Sequence, residues 1–161
     1  MDRRSFVALA ATIALSACAS TPQVSSDTAA GANFAAYHSY AWASTLPPAG
    51  MNPVAFQRII QGVDGAMSAK GYVKSDPGDI TLILTLGARN RTDVSTWGRF
   101  NRQVDVYQYT QGKLSLDAFD TKTRQALWHG QATQTINPDK SDPALIDAAV
   151  NGVMAKFPPR S

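Results

Sequence analysis

Cysteine is nearly missing from this chain: of 161 residues only Cys18 carries a thiol, so no disulfide can form within it. Histidine is almost as scarce, with His38 and His129 alone. Two isolated imidazoles are a poor start for a metal site that wants three or four ligands, so no metal or other cofactor is expected. No serine stands in a Gly-x-Ser-x-Gly turn and no glycine-rich phosphate cradle follows a strand, which leaves nucleophilic and nucleotide chemistry unmotivated. Charge of one sign is also lacking. The formal net charge is +3 without runs of lysine, and a nucleic-acid module would carry a dense basic stripe. Nor is there a long hydrophobic run. The apolar stretch 6–17 would reach only about 18 Å as a helix, against a hydrocarbon core of roughly 30 Å.

That short stretch is informative in its context. Arg3 and Arg4 precede it and Leu15-Ser16-Ala17-Cys18 closes it, giving the order of charged, apolar and small-residue segments of an export signal over 1–17. Leu-Ser-Ala-Cys resembles the lipobox of bacterial lipoproteins, in which the cysteine is acylated and then becomes the new N-terminus. The resemblance implies lipid attachment at Cys18, anchorage to a membrane of the cell envelope, and no free thiol. An ordinary secretory cleavage site is the plainer alternative. Arg3-Arg4-Ser5-Phe6-Val7 fits both the twin-arginine route and the general one. Ala19, where enterobacterial sorting would use aspartate for retention in the inner membrane, implies the outer membrane, facing the periplasm.

Residues 18–31 are small and polar apart from Val24, which predicts a lipidated flexible tether with a mean span of about 20 Å. A single globular domain is expected over 32–161. Hydrophobic residues make up 44% of the chain and charged ones 17%, enough apolar surface to offset the entropy lost on folding. Residues 37–43 alternate into a first strand that Pro47-Pro48 follows. Pro53 opens a helix in which Phe56, Ile59, Ile60, Val63 and Met67 recur at helical spacing until Gly71; Gly62 and Gly65 inside it read as close-packing positions. Ile80, Leu82, Leu84 and Leu86 alternate with Thr81, Ile83 and Thr85 as a strand with one wet face. Further strands are expected over 104–109, 113–119 and 126–135, with turns at Thr110-Gln111-Gly112 and over 120–124. Leu145, Ile146, Ala149, Val150, Val153, Met154 and Phe157 form the stripe of a closing helix before Pro158-Pro159. The order β-α-β-β-β-β-α predicts an α+β, two-layer sandwich: a sheet of about five mainly antiparallel strands with both helices on one face.

Phe34-Ala-Ala-Tyr37-His-Ser-Tyr40-Ala-Trp42, Gly71-Tyr72, the segment from Gly112 through Leu114, Leu116 and Asp117 to Asp120, Trp128-His-Gly130-Gln-Ala132 and Phe157-Pro158-Pro159 stand in one order. This set resembles the bacterial lipoprotein family catalogued as domain of unknown function 4136. The resemblance implies no activity.

Among candidate residues, Asp117 and Asp120 could pair for acid/base work, but Asp120 suits a turn brace and Asp117 a wet strand face. Trp42 and Trp128 could line a pocket, though indoles on alternating strands more often fill a core. The stretch 89–102 is the most suggestive, with Arg89, Arg91, Arg99 and Arg102 beside Trp97 and Phe100 against Asp93. Arginine with aromatics is the composition of interaction surfaces, and here it is expected in a loop docking a protein or an anionic component of the envelope. A merely solvated loop is the bland alternative. The expectation is a membrane-anchored, non-enzymatic interaction or structural module that binds no nucleic acid. A carrier of a small apolar ligand or lipid is the alternative, with a hydrolase third.

Overall fold

The computed structural model describes residues 21–97, 103–137 and 140–160. The order of elements is β1 (Gln23–Thr28), β2 (Ser39–Trp42), α1 (Pro53–Ala69), β3 (Val73–Lys74), β4 (Ile80–Trp97), β5 (Gln103–Asp120), β6 (Ala126–Ile136) and α2 (Pro143–Lys156), with one turn of 3-10 helix at Phe34–Ala36. The strands form one mixed sheet in the order β1-β6-β5-β4-β2-β3. β2 runs parallel to both β3 and β4, and the other pairings are antiparallel. The fold is α+β, with both helices packed on the sheet.

Both helices begin the same way. Asn52 accepts from the backbone N–H groups of Val54 and Ala55, Asp142 accepts from that of Ala144, and a proline stands at the first helical position of each. α1 stops where Gly71 takes a φ of +90° and Tyr72 donates back to the carbonyl of Met67. Its stripe of Phe56, Ile59, Ile60, Val63 and Met67 is buried, and α2 contributes Ala149, Val150, Val153 and Met154. The sheet answers with Tyr40, Ile80, Leu82, Leu114, Leu116, Ala118, Trp128 and Ala132. Each such side chain contributes about 1.5–3 kcal/mol when fully buried if large. Of the two glycines in α1 only Gly62 is a close approach: a Cβ there would sit 3.0 Å from Val150 Cγ1, while at Gly65 it would meet open space.

Three features differ from the sequence reading. First, the tether expected over 18–31 gives way to β1 at Gln23, which pairs along its length with β6. The main chain supplies most of that attachment, and small polar side chains do not advertise it. Second, the turn expected at Thr110-Gln111-Gly112 is absent. β5 runs through it, held by β4 on one side and β6 on the other, with the Ile136 side chain lying over Gly112. Third, the loop expected over 89–102 is in large part strand. β4 continues to Trp97 and β5 starts at Gln103; the two expected strands around Gly112 are one, which leaves four of the expected five, and β1 with the short β3 brings the sheet to six. Both faces of 89–97 carry polar groups, which erases the alternation that marks a strand.

Candidate interaction surface

β6 ends at Ile136, opposite Thr110, and β2 pairs with β4 only as far as Leu82. Beyond these points, among the described residues, β4 and β5 pair only with one another, as a two-stranded ribbon. Cross-strand partners share a face, so Arg89, Arg91, Asp93 and Ser95 stand with Gln111, Tyr109, Tyr107 and Asp105. Asn90, Thr92 and Val94 stand on the opposite face with Thr110, Gln108 and Val106. On the first face both guanidinium groups converge on one neutral acceptor: Gln111 Oε1 lies 3.3 and 3.2 Å from Arg89 Nε and Nη2, and 3.2 Å from Arg91 Nε. The Tyr109 hydroxyl donates to Asp93, and that bond, with desolvation and the aspartate's charge, raises its pKa against the opposing pull of Arg91 and Arg89. On the second face Val94 and Val106 are directly opposite one another, 61% and 57% exposed. Tyr107 is 61% exposed. Of the residues singled out from sequence, Arg89 and Arg91 are therefore on the ribbon and Trp97 is the last residue of β4, whereas Arg99, Phe100 and Arg102 lie outside the described residues, as does Cys18.

At the root of the ribbon a half-open groove of about 630 Å³ lies between the first turns of both helices and the sheet. Met51, Ile59, Leu86, Leu114 and Ile146 give it an apolar floor, and Lys113 and Lys140 stand at its margin. Gln134 donates through Nε2 to the carbonyl of Leu145, while its Oε1 is buried without a partner among the described residues.

Four of the carboxylates, Asp64, Asp79, Asp117 and Asp120, hold strands and turns. Asp120 accepts from the N–H groups of Lys122 and Thr123 and from the Tyr37 hydroxyl at 2.9 Å, which lowers its pKa, the Thr123 N–H most strongly. Asp117 is not beside it in function: its Oδ1 lies 2.6 Å from His129 Nδ1, its neighbour across the β5–β6 pair, on the face away from the helices. Sequence reading missed this pair, since only the register brings the two together. Asp64 was missed too; it accepts from the Tyr40 hydroxyl, Trp42 Nε1 and Lys74 Nζ. Trp128 is core, 2% exposed. Among the described residues no group of three His, Cys, Asp or Glu could hold a metal ion.

Asp79 ties the parallel strands β2 and β4 together by accepting from the N–H groups of His38 and Ser39 and from Ser39 Oγ. The His38 N–H is the main cause of its lowered pKa. A carboxylate depressed in the folded state contributes stability above its unfolded value of about 3.9 and loses it as pH falls through the lower folded value. Urea unfolding midpoints should therefore fall from pH 4 downward, and less steeply in Asp79→Asn. Equal slopes would show that this carboxylate does not contribute to acid sensitivity.

The family model for the domain of unknown function DUF4136 matches residues 24–159. The chain belongs to this family. Among curated proteins none matches it. A DUF4136 family protein from Bacteroides thetaiotaomicron has a similar structure, with 15% identity, 84% of this chain and 95% of that one covered, and a TM-score of 0.57. PelC from Paraburkholderia phytofirmans, solved as a dodecamer, is similar at 12% identity over 86% of this chain and 99% of that one, TM-score 0.56. A PDZ domain protein from Parabacteroides distasonis matches at 10% identity and TM-score 0.55, over 79% of this chain. The DUF4136 chain spans only about a third, 34%, of that last protein's length. At these identities the likeness is one of fold.

Proposed function

We propose that this member of the DUF4136 family is a lipoprotein of the bacterial cell envelope, anchored through acyl chains on Cys18, and that it acts as a non-enzymatic interaction module. The outer membrane, with the domain facing the periplasm, is the location we assign it. The observation that carries the reading is Leu15-Ser16-Ala17-Cys18 standing directly behind Arg3-Arg4 and a 12-residue apolar stretch at 6–17. Two or three acyl chains would anchor far more firmly than the single chain that gives only marginal binding. The contact surface in this reading is the ribbon, where Arg89 and Arg91 offer planar donors to phosphate or carboxylate groups of an envelope component.

A second reading, a carrier of a small apolar ligand, is favoured by the groove: about 630 Å³ lies within the range that small-molecule sites occupy. Mass spectrometry of the protein purified from its native host tests both. Denatured, the chain should begin at Cys18 and carry acyl mass on that residue, and Cys18→Ser should release the domain from membranes; an unmodified thiol or a retained leader would end the lipoprotein reading. Under native conditions a further mass lost on denaturation would support the carrier, and its absence would count against it.

A further inference from the structure

We infer that the outer part of the β4–β5 ribbon, around Val94 and Val106, rests in the surface of the same lipid bilayer that holds the acyl chains of Cys18. The inference depends on the anchor proposed above and adds to it an orientation and a second membrane contact.

Direction and reach carry the argument. Gln23 pairs with Thr133, Thr133 with Lys113, and Lys113 with Gly87, so these four residues mark one level across the sheet. Going back from Thr28 to Gln23, β1 runs toward the end of β6 and hence in the direction in which β4 advances beyond Gly87. The anchor and the ribbon thus leave the sheet the same way. Cys18 precedes Gln23 by five residues, which fully extended reach about 17 Å at roughly 3.4 Å per residue. Val94 lies seven residues past Gly87 within a paired strand, about 24 Å along the same direction by the same spacing. The valine pair therefore stands farther out than the acylated residue can reach. With the sulfur held at the membrane interface and the chain before Gln23 keeping the line of β1, the ribbon tilts onto the bilayer or dips into it.

Its side chains suit that position. Val94 and Val106 form an exposed apolar pair. Tyr107 and Tyr109, with an apolar ring and a polar tip, belong at the level of headgroups. Arg89 and Arg91, nearer the domain, share a neutral partner in Gln111 and can turn to lipid phosphates. Along the ribbon the two arginines stand at the root and the valine pair farther out on the opposite face, at the level of Asp93 and Asp105. In water the same arrangement would leave a two-stranded ribbon, marginal by itself, with its valines in solvent.

The test uses the acylated protein, whose single native cysteine is consumed by lipid. Val94→Cys, Val106→Cys and, at the opposite end of the sheet, Lys122→Cys are each labelled with an environment-sensitive nitrobenzoxadiazole dye. The labelled proteins are placed in vesicles of phosphatidylethanolamine and phosphatidylglycerol bearing nitroxide-labelled acyl chains. We expect blue-shifted emission and quenching at positions 94 and 106, none at 122, and quenching reduced several-fold by Arg89→Glu with Arg91→Glu. With acyl mass at Cys18 verified, unquenched and unshifted dyes at 94 and 106 would overturn the inference while leaving the anchor standing. A blue shift without quenching would also overturn it, since a protein surface, including that of a second copy, would then be the occupant. An unmodified Cys18 would instead remove the anchor on which the geometry rests.

Discussion

Gly130→Ala is expected to cost the domain about 3 kcal/mol or more, a large share of the 5–15 kcal/mol that holds an ordinary domain folded. The indole of Trp128 lies along β6 directly over Gly130: a Cβ built there would fall 2.0, 2.6 and 2.8 Å from three of its ring carbons. Neither partner can give way easily. Gly130 is fixed between Leu116 on β5 and Ser26 on β1, and the indole is backed by the ring of Phe157 at a centroid distance of 4.9 Å. One methyl group therefore requires an indole that is 2% exposed to leave its place. Urea unfolding followed by tryptophan emission measures the loss. The cause is separable from general damage: in Gly130→Ala with Trp128→Leu, the shorter side chain removes the collision, and the double variant should lose less than the sum of the singles. Strict additivity, or a loss below about 1 kcal/mol for the single change, would show that the glycine matters for another reason.

Phe157→Ala should be comparably severe, at about 3–5 kcal/mol. Phe157 is 1% exposed and meets three rings edge to face: Trp128 on β6, Phe34 in the turn before β2, and Tyr72 after α1, the last two at 5.6 and 5.8 Å. Edge-to-face pairs of this kind contribute roughly 0.5–1.5 kcal/mol beyond the area they bury. Truncation also leaves a void among Phe34, Tyr72 and Trp128. Near-ultraviolet circular dichroism should lose much of its aromatic signal while the far-ultraviolet spectrum holds below the unfolding transition. Phe157→Leu, which keeps most of the volume, should lose much less. Equal losses for the two variants would mean that ring geometry and cavity volume are not what the site supplies.

These two positions also show what sequence could and could not reveal. The ordered set of residues on which the sequence resemblance was read includes Trp128, Gly130 and Phe157, and the structure supplies their physical link: the indole lies over the glycine and meets the phenyl ring edge to face in the core. The helices were legible because Asn52-Pro53 and Asp142-Pro143 announce their starts and their apolar stripes recur every three to four residues. Ile80 to Leu86 was legible as a strand because one of its faces is buried. β1 and the ribbon were not. β1 sits at the sheet's edge and offers Val24 alone to the core, while the ribbon has no buried face to impose alternation. The candidate stretch was misplaced in conformation: Arg89 and Arg91 are exposed, but on a strand rather than in a loop. The His129–Asp117 and Asp64 contacts depend on register or on long-range folding, which no local pattern encodes.

The pairing of β1 with β6 bears on how the chain acquires its structure. Residues near position 23 find their partners more than a hundred positions later, on the last strand to be synthesised. Such remote closure makes for slow assembly, because the entropy of a long loop must be overcome before the contacts are gained. The first segment to emerge is consequently among the last to be secured, and until β6 is complete the stretch nearest Cys18 has no edge to join.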